Sequence, residues 1–171
     1  MIVYVDECGM YLLPAAVRTW APRGETPVLE QTLSRDHLSI IGAVTARGKL
    51  LLQVHKHAIR SVDCVRFLKH LVRHLGRVLV IWDGAPIHRG PAVRKYLATE
   101  AKGKVHLECL PGYAPDLNGQ EGVWHLLKHH QLGNVCAATL KELTGDLRRA
   151  IKRLRHKLPA LKGCFRQPEH V

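Results

Sequence analysis

Acidic side chains, paired cysteines and long apolar runs are all scarce in this 171-residue chain. Asp and Glu number 14 against 26 Lys and Arg, so the formal net charge is +12 before the twelve histidines are counted. The five cysteines are scattered with no CxxC pair, which favours reduced thiols in a cytoplasmic protein over a disulfide framework. Apolar runs such as VLVIW fall far short of the ~20 residues that span a bilayer, so no membrane partner is expected.

The composition is nevertheless that of a folded protein. A hydrophobic content of 46% excludes disorder, and the length suits one core. No repeat, low-complexity tract or linker divides the chain, so we expect a single domain over residues 1–171. Asp6 and Glu7 stand where a secretory signal would be basic and then apolar, so export is not expected. The excess positive charge favours a polyanionic partner, with nucleic acid as the first candidate.

Hydrophobic patterns predict an α/β fold. The opening IVYVD is a β-branched run that ends on an acid, and HLSIIGAVTARGKLLLQVHK predicts two strands around a turn at 47–49. RVLVIWD is apolar on both faces, which is typical of a central strand covered by helices. A further strand is predicted for VHLECLP, followed by a Pro- and Gly-containing loop, PGYAPDLN. The sequence therefore predicts a mixed central sheet flanked by helices.

Four helices are predicted around these strands. Apolar residues at three- and four-residue steps predict one from Ser61 to a stop at Gly76, and a short one follows over 91–101. A third begins after the PGYAPDLN loop. The fourth starts with a capping box of Thr139 and Glu142. Its apolar face is predicted to comprise Leu140, Leu143, Leu147, Ile151, Leu154 and Leu158.

Positive charge is concentrated in the C-terminal quarter of the chain. Residues 128–171 contain ten Lys and Arg against three acids, a net charge of +7. A solvated helix face is one interpretation, since amphipathic helices commonly carry Lys and Arg outside. The excess of one sign favours a surface that contacts phosphates. The candidate DNA-binding residues in this region are Lys128, Arg148, Lys152 and Arg155.

Two acids end predicted strands. Asp6 follows VYV and Asp83 follows VLVIW, and functional groups collect beyond the carboxyl ends of strands in open α/β sheets. The alternative is that each Asp only begins a turn, which Asp83 followed by Gly84 would do well. Because both strands are strongly apolar, we expect a third carboxylate to complete a site.

Glu121 is the candidate for that third carboxylate, 38 residues after Asp83. Its alternative role is local, since with Asn118 as N-cap it would stand at N3 and complete a capping box. Asp116 is a rival third acid, although its place in a turn-rich loop suits a structural role. Three carboxylates suit Mg²⁺ or Mn²⁺, and two such ions would clamp a phosphodiester for cleavage.

The chain resembles the DDE-type transposases of the mariner superfamily and their bacterial insertion-sequence relatives. The resemblance rests on VDE, RTWAPRGETP, WDGAPIH and LPGYAPDLNGQEGVWHLLK, in that order. It implies a ribonuclease H-like fold and assigns the catalytic, metal-binding acids to Asp6, Asp83 and Glu121. It places Asp116 in the loop motif, and it implies that Trp124 packs the catalytic helix.

The sequence also departs from that family. Gly119 stands where the family commonly has Pro after Asn, which removes a rigid helix start, and Gly84 stands where many relatives have Asn. The helix-turn-helix DNA-binding modules that usually precede the catalytic domain are absent from this sequence. We expect Gly119 to loosen Glu121, whereas neither glycine removes a ligand.

The resemblance implies a function and its partners. The chain is expected to be a metal-dependent polynucleotidyl transferase that cuts transposon ends and joins the 3′-hydroxyl to target DNA. Terminal inverted repeats would be the substrate and TA dinucleotides the target, with a homo-oligomer as active complex in the bacterial cytoplasm, at the nucleoid when DNA is bound. The alternatives are a non-catalytic nucleic-acid-binding remnant and a structural domain whose acids only cap and turn.

Secondary candidates lie near these acids. His88 follows Asp83 by five residues, and we expect it to contact DNA phosphate or the surroundings of the nucleophile, or alternatively to cap a helix or pack. Arg23 and Trp20 are candidates to line the same cleft, although packing in the core is the favoured role for Trp20. His70, His74 and Cys64 have a spacing that could hold zinc, but ordinary histidines are favoured because no second ligand pair accompanies them.

Overall fold

A mixed five-stranded sheet runs through the centre of the computed structural model, which describes residues 1–30, 34–112 and 114–165. The spatial order of the strands is β3-β2-β1-β4-β5. The first three strands pair antiparallel, and β4 and β5 continue the sheet parallel to β1. Their bounds are β1 Ile2–Tyr11, β2 His37–Val44, β3 Leu50–His55, β4 Val78–Trp82 and β5 Val105–Cys109.

The predicted hairpin is confirmed. The turn between β2 and β3 is closed by Gly48, whose amide donates to the Thr45 carbonyl at 2.7 Å. Gly48 adopts φ of 83°, a left-handed conformation that favours glycine. The Lys49 amide also donates to the Thr45 hydroxyl at 3.0 Å.

Helices cover both faces of the sheet. On one face, Val3 and Val5 pack with α1 (Ser61–Leu75) and α2 (Pro91–Ala98). On the other, Tyr4 and Met10 pack with α3 (Gly119–His125) and α4 (Leu140–Arg155). Because side chains alternate along a strand, neighbouring residues of β1 enter different layers. The α/β class with a mixed, helix-flanked sheet is confirmed.

Two helices agree with the sequence only in part. The helix from Ser61 ends before Gly76 as predicted, whereas α2 ends at Ala98, three residues before the expected end. The Thr99 hydroxyl donates to the Lys95 carbonyl at 2.8 Å, a local bond that competes with continued helix.

The last predicted helix is divided. It ends at Arg155, and a separate short helix, α5, spans Leu158–Gly163. Pro159 explains the break, because proline lacks the amide donor that a continued helix would need and its ring clashes with the carbonyl four residues earlier. The predicted core position of Leu158 is therefore wrong, since this side chain is 48% exposed. The Thr139 hydroxyl caps α4 as expected, by accepting from the Glu142 amide.

The expected core position of Trp20 is also wrong. Residues 13–30 contribute no strand or helix, and Trp20 lies there at 99% exposure. The loop that precedes α3 is described except at Tyr113, which lies outside the described residues. No helix in the described ranges is long and apolar enough to cross a membrane.

Candidate active site

One cleft at the carboxyl ends of the parallel strands brings the predicted acids together. Asp83 directly follows β4 as predicted, and Glu121 lies in the first turn of α3. The prediction that Asp6 ends its strand is wrong, because β1 stays paired with β2 as far as Tyr11; only its parallel pairing with β4 ends before Asp6, at Tyr4. All three side chains line this cleft. The rest of its lining comes from loops and the start of α3, namely Gly84, Ala85, Leu110, Pro111, Gly112, Ala114 and Asn118.

Asp6 is held by the helix that carries Glu121. The indole Nε1–H of Trp124 donates to Asp6 Oδ2 at 2.8 Å. Burial raises the pKa of Asp6 from 3.8 to about 7; the Trp124 hydrogen bond opposes this rise, and the Glu121 charge adds to it. Trp124 thus packs the helix, as the resemblance implies. It also fixes the Asp6 carboxylate, a contact that no sequence pattern indicated.

The start of α3 is anchored to the strand beside Asp6. The Asn118 side chain accepts a hydrogen bond from the Gln120 amide at 3.1 Å and donates to the Val5 carbonyl at 3.2 Å. Asn118 is therefore the predicted N-cap, and it also ties the helix to β1. Since Val5 precedes Asp6, this bond fixes the height at which Glu121 stands relative to Asp6.

Gly119 has a packing role at the same helix start. A Cβ at this position would lie 2.5 Å from the Phe165 ring, so the ring occupies the space that a side chain would need. Phe165 also contacts Tyr4 of β1 edge to face, with ring centroids 5.3 Å apart. The glycine that replaces the family's proline thus allows a packing contact that supports the helix.

Glu121 faces the cleft and is exposed, as the side chain of a metal ligand at this place would need to be. Within the described residues, the side-chain cap of α3 is Asn118, and the Glu121 carboxylate accepts no capping hydrogen bond. Asp116 is exposed in the short 3₁₀ helix Pro115–Leu117 and is not part of the cleft lining. The geometry therefore favours Glu121 over Asp116 as third acid.

Asp83 is oriented by a buried histidine. His88 Nδ1 lies 2.8 Å from Asp83 Oδ1, and His88 Nε2 lies 3.0 Å from Glu7 Oε1. The ring stacks on Trp82 with centroids 4.1 Å apart. Burial lowers the pKa of His88, but the hydrogen bond and charge of Glu7, with a smaller contribution from Asp83, outweigh it and leave the pKa raised.

The expected contact of His88 with DNA phosphate is not available in this structure. The residue is 2% exposed, and both ring nitrogens face carboxylates, so the packing alternative describes its position. Sequence reasoning missed its partner Glu7. Alternation along β1 was the available signal, because it sends Glu7 to the layer opposite Asp6, where α1 and His88 lie.

The carboxylate cleft fits a divalent cation. Among the described residues, no Lys or Arg nitrogen lies within 4.0 Å of Asp6, Asp83 or Glu121, since the Lys and Arg ion pairs are with other acids. The three carboxylates do not form a set of ligand atoms within 4.8 Å of one another, as two other clusters do. An oxygen-only donor set suits Mg²⁺ or Mn²⁺.

The candidate DNA-binding residues differ in accessibility. Arg148, Lys152 and Arg155 are all exposed on α4. Lys128 is half-buried beside Cys8. Burial of the Cys8 thiol raises its pKa, and the charge and hydrogen bond of Lys128 partly offset that rise. Arg23 is exposed in the segment before β2 and, like Trp20, is not part of the cleft lining.

The spacing that could hold zinc does not assemble a site. Cys64 is fully buried, and its sulfur lies with Glu7 and His88. The ring of His74 instead contacts the carbonyl of His70, with Nδ1 2.9 Å from the oxygen. Within the described residues, these two histidines belong to no three-ligand cluster.

Comparison with known proteins adds a family to this geometry. A family model described as "DDE superfamily endonuclease" matches residues 1–144. No curated protein sequence is similar enough to count as a relative.

Several solved structures share the fold. The Mos1 strand transfer complex superposes with a TM-score of 0.63 at 18% identity, covering 98% of this chain and 56% of that one. The mariner Mos1 paired-end complex with Mg superposes with a TM-score of 0.60 at 22% identity, covering 96% of this chain and 54% of that one. The catalytic domain of Mos1 mariner transposase superposes with a TM-score of 0.59 at 17% identity, covering 96% of this chain and 80% of that one. The chain thus spans about half the length of the Mos1 chains in complexes, and it shares the ribonuclease H-like fold of their catalytic domain.

Proposed function

Because the chain belongs to the DDE superfamily endonucleases, we propose that it is a metal-dependent catalytic domain that cuts DNA at transposon ends and transfers the freed 3′-hydroxyl to target DNA. The observation that carries this proposal is the convergence of Asp6, Asp83 and Glu121 on one cleft from three separate elements. We further propose that residues 1–171 act as one catalytic domain. The cutting and strand-transfer steps in this proposal are those of the mariner transposases, whose catalytic domain has the same fold.

Asp6, Asp83 and Glu121 are the proposed ligands of the divalent ion. Mos1 has been solved with Mg and with Mn, and the all-oxygen donor set here suits either ion. When bound, a pair of such ions lowers the pKa of the attacking water or hydroxyl and stabilises the leaving oxygen. We propose two ions in the active complex.

The protein's own contribution is to hold the carboxylates in place. Trp124 fixes one oxygen of Asp6, and His88 fixes one oxygen of Asp83. Asn118 sets the position of Glu121 through its bond to β1. Held donors reduce the reorganisation that a flexible site would need as the transition state forms.

DNA is the proposed partner, and its charge matches the surface of the domain. Mos1 complexes contain transposon ends, and this chain carries exposed cations on α4 at Arg148, Lys152 and Arg155. We propose terminal inverted repeats as substrate, TA dinucleotides as target and a homo-oligomer as the active assembly. Lys128 and Arg23 are proposed to add weaker contacts. Action on DNA would place the protein at the bacterial nucleoid.

Asp83→Asn tests the proposal. The substitution should keep the fold and the DNA affinity, because the lost charge lies in the cleft and not on α4. Cleavage of a pre-nicked transposon-end duplex in Mg²⁺ or Mn²⁺ should fall by orders of magnitude, since a displaced ligand removes charge stabilisation. Recognition modules are supplied in trans or by fusion, so that the domain finds its site.

Asp116→Asn is the matched control, because it makes the same chemical change outside the cleft. It should retain wild-type cleavage. Equal inertness of wild type and Asp83→Asn, with recognition modules present, would identify the chain as a non-catalytic remnant. Retained cleavage in Asp83→Asn would contradict the assignment of Asp83 to the site, and loss of cleavage in Asp116→Asn would contradict the placement of Asp116 outside it.

A further inference from the structure

A second cluster of metal-binding side chains lies outside the acidic cleft, where β3 ends and α1 begins. His55 is the last residue of β3, His57 follows in the connection, and Asp63 lies in the first turn of α1. One ligand atom from each lies within 4.8 Å of the others, and none of the three lines the cleft. We propose that His55, His57 and Asp63 bind one transition-metal ion of the Zn²⁺ class.

The distances within the cluster are close to those between ligands of a shared ion. His57 Nε2 lies 3.2 Å from Asp63 Oδ2, and His55 Nδ1 lies 3.8 Å from Asp63 Oδ1. Donors at ~2.0–2.2 Å from a tetrahedral zinc ion stand roughly 3.3–3.5 Å apart. The observed separations fall on either side of that range, so small side-chain rotations would complete the arrangement.

His55 lacks the hydrogen bonds that a buried imidazole normally has. Its side chain is 12% exposed, and its Nε2 is buried with no hydrogen-bond partner among the described residues. The 3.8 Å separation from Asp63 is too long for a hydrogen bond. The ion would bind at Nδ1, the nitrogen that faces Asp63, and Nε2 would then carry the ring proton.

The surrounding charges permit an ion. Asp63 is 1% exposed and also accepts from the Arg60 amide at 3.0 Å and from Arg66 at 3.3 Å. Arg66 is 70% exposed, so its guanidinium can move into solvent when a cation binds. Two imidazoles and one carboxylate favour Zn²⁺, Co²⁺ or Ni²⁺ over Mg²⁺. Half-exposed His57 leaves an open side for a water ligand.

The test measures Zn²⁺ binding by calorimetry in a protein whose acidic cleft is disabled by Asp6→Asn and Asp83→Asn. One equivalent of Zn²⁺ should bind and raise the Tm. Adding His57→Ala or His55→Gln should weaken binding by at least roughly tenfold, because loss of an outer-shell partner alone costs that much. Asp63 is left intact, since its carboxylate also caps α1.

His106→Ala is the matched control, because exposed His106 contacts Glu108 at 2.8 Å without a second histidine. It should bind Zn²⁺ as the parent does. The proposal is overturned by absence of binding in the parent, by unchanged binding in His57→Ala, or by equal loss in His106→Ala. Absorption spectra with Co²⁺ distinguish this site from the neighbouring cluster of Glu7, Cys64 and His88. A thiolate-to-metal charge-transfer band would show that the ion binds at Cys64 and would overturn the proposal.

Discussion

Asp6→Asn should make the metal-free protein more stable while abolishing the proposed catalysis. Burial raises the pKa of Asp6 from 3.8 to about 7, with a further contribution from the Glu121 charge. The folded state therefore disfavours the ionised carboxylate. Asn carries no charge, and its side-chain oxygen can still accept the hydrogen bond from Trp124.

The magnitude follows from linkage between protonation and folding. A pKa that rises from 3.8 to about 7 on folding corresponds to up to about 4 kcal/mol. Because the folded pKa is the higher one, the wild type has its full stability below pH 4 and loses it as the pH rises to 7. At pH 8 the variant should exceed the wild type by on the order of 2–4 kcal/mol, or roughly 5–15 °C in Tm.

The assay is thermal and urea unfolding in EDTA at several values between pH 4 and pH 8. The gap between Asp6→Asn and wild type should widen up to pH 7 and then stay constant. Mg²⁺ should narrow it by stabilising the wild type alone. Asp116→Asn, an exposed acid outside the cleft, should show no such gap. A variant that is less stable than wild type at pH 8, or a gap independent of pH, would refute the reasoning.

Three further outcomes are expected. Replacing the three exposed cations of α4 with Ala should weaken DNA binding regardless of sequence and reduce the salt slope by about 0.9 for each phosphate that is no longer neutralised; an unchanged slope would indicate a solvated face. Gly42→Ala should destabilise by about 1–3 kcal/mol in urea unfolding, because its Cβ would lie 2.5 Å from Leu52, whereas Gly84→Ala has open space and should not. Glu7→Gln should lower the pKa of His88 in an NMR titration, so the stability that protonated His88 contributes is lost at a lower pH, as the pH rises, than in the wild type. An unchanged pKa of His88 would contradict the pairing with Glu7.

The elements that position the acids could be predicted from sequence because their signals are local. Asp6 and Asp83 follow β-branched runs, and Asn118 is a standard N-cap residue, so three short patterns locate the cleft. The separation of α5 from α4 also had a local signal in Pro159, which the leucine repeat outweighed in the prediction.

The contacts that hold the site could not be predicted because they join distant parts of the chain. Glu7 and His88 are 81 residues apart, and Asp6 and Trp124 are 118 apart. Alternation along β1 indicates the layer that Glu7 enters, but no periodic pattern identifies the distant partner, which depends on how the strands are ordered in the sheet. The prediction for Trp20 rested on the general tendency of aromatic residues to be buried. It was wrong because the segment that carries Trp20 joins neither layer of the core.

The packing of Phe165 on Gly119 has a consequence for how the protein is made. The first acid is residue 6, the helix carrying the third is supported by residue 165, and synthesis between them takes on the order of ten seconds or more at ~5–20 residues per second. A nascent chain that has exposed its first strand therefore lacks both the third carboxylate and its support. Until residue 165 has been synthesised, the helix that carries Glu121 lacks the aromatic ring that packs against its first residue.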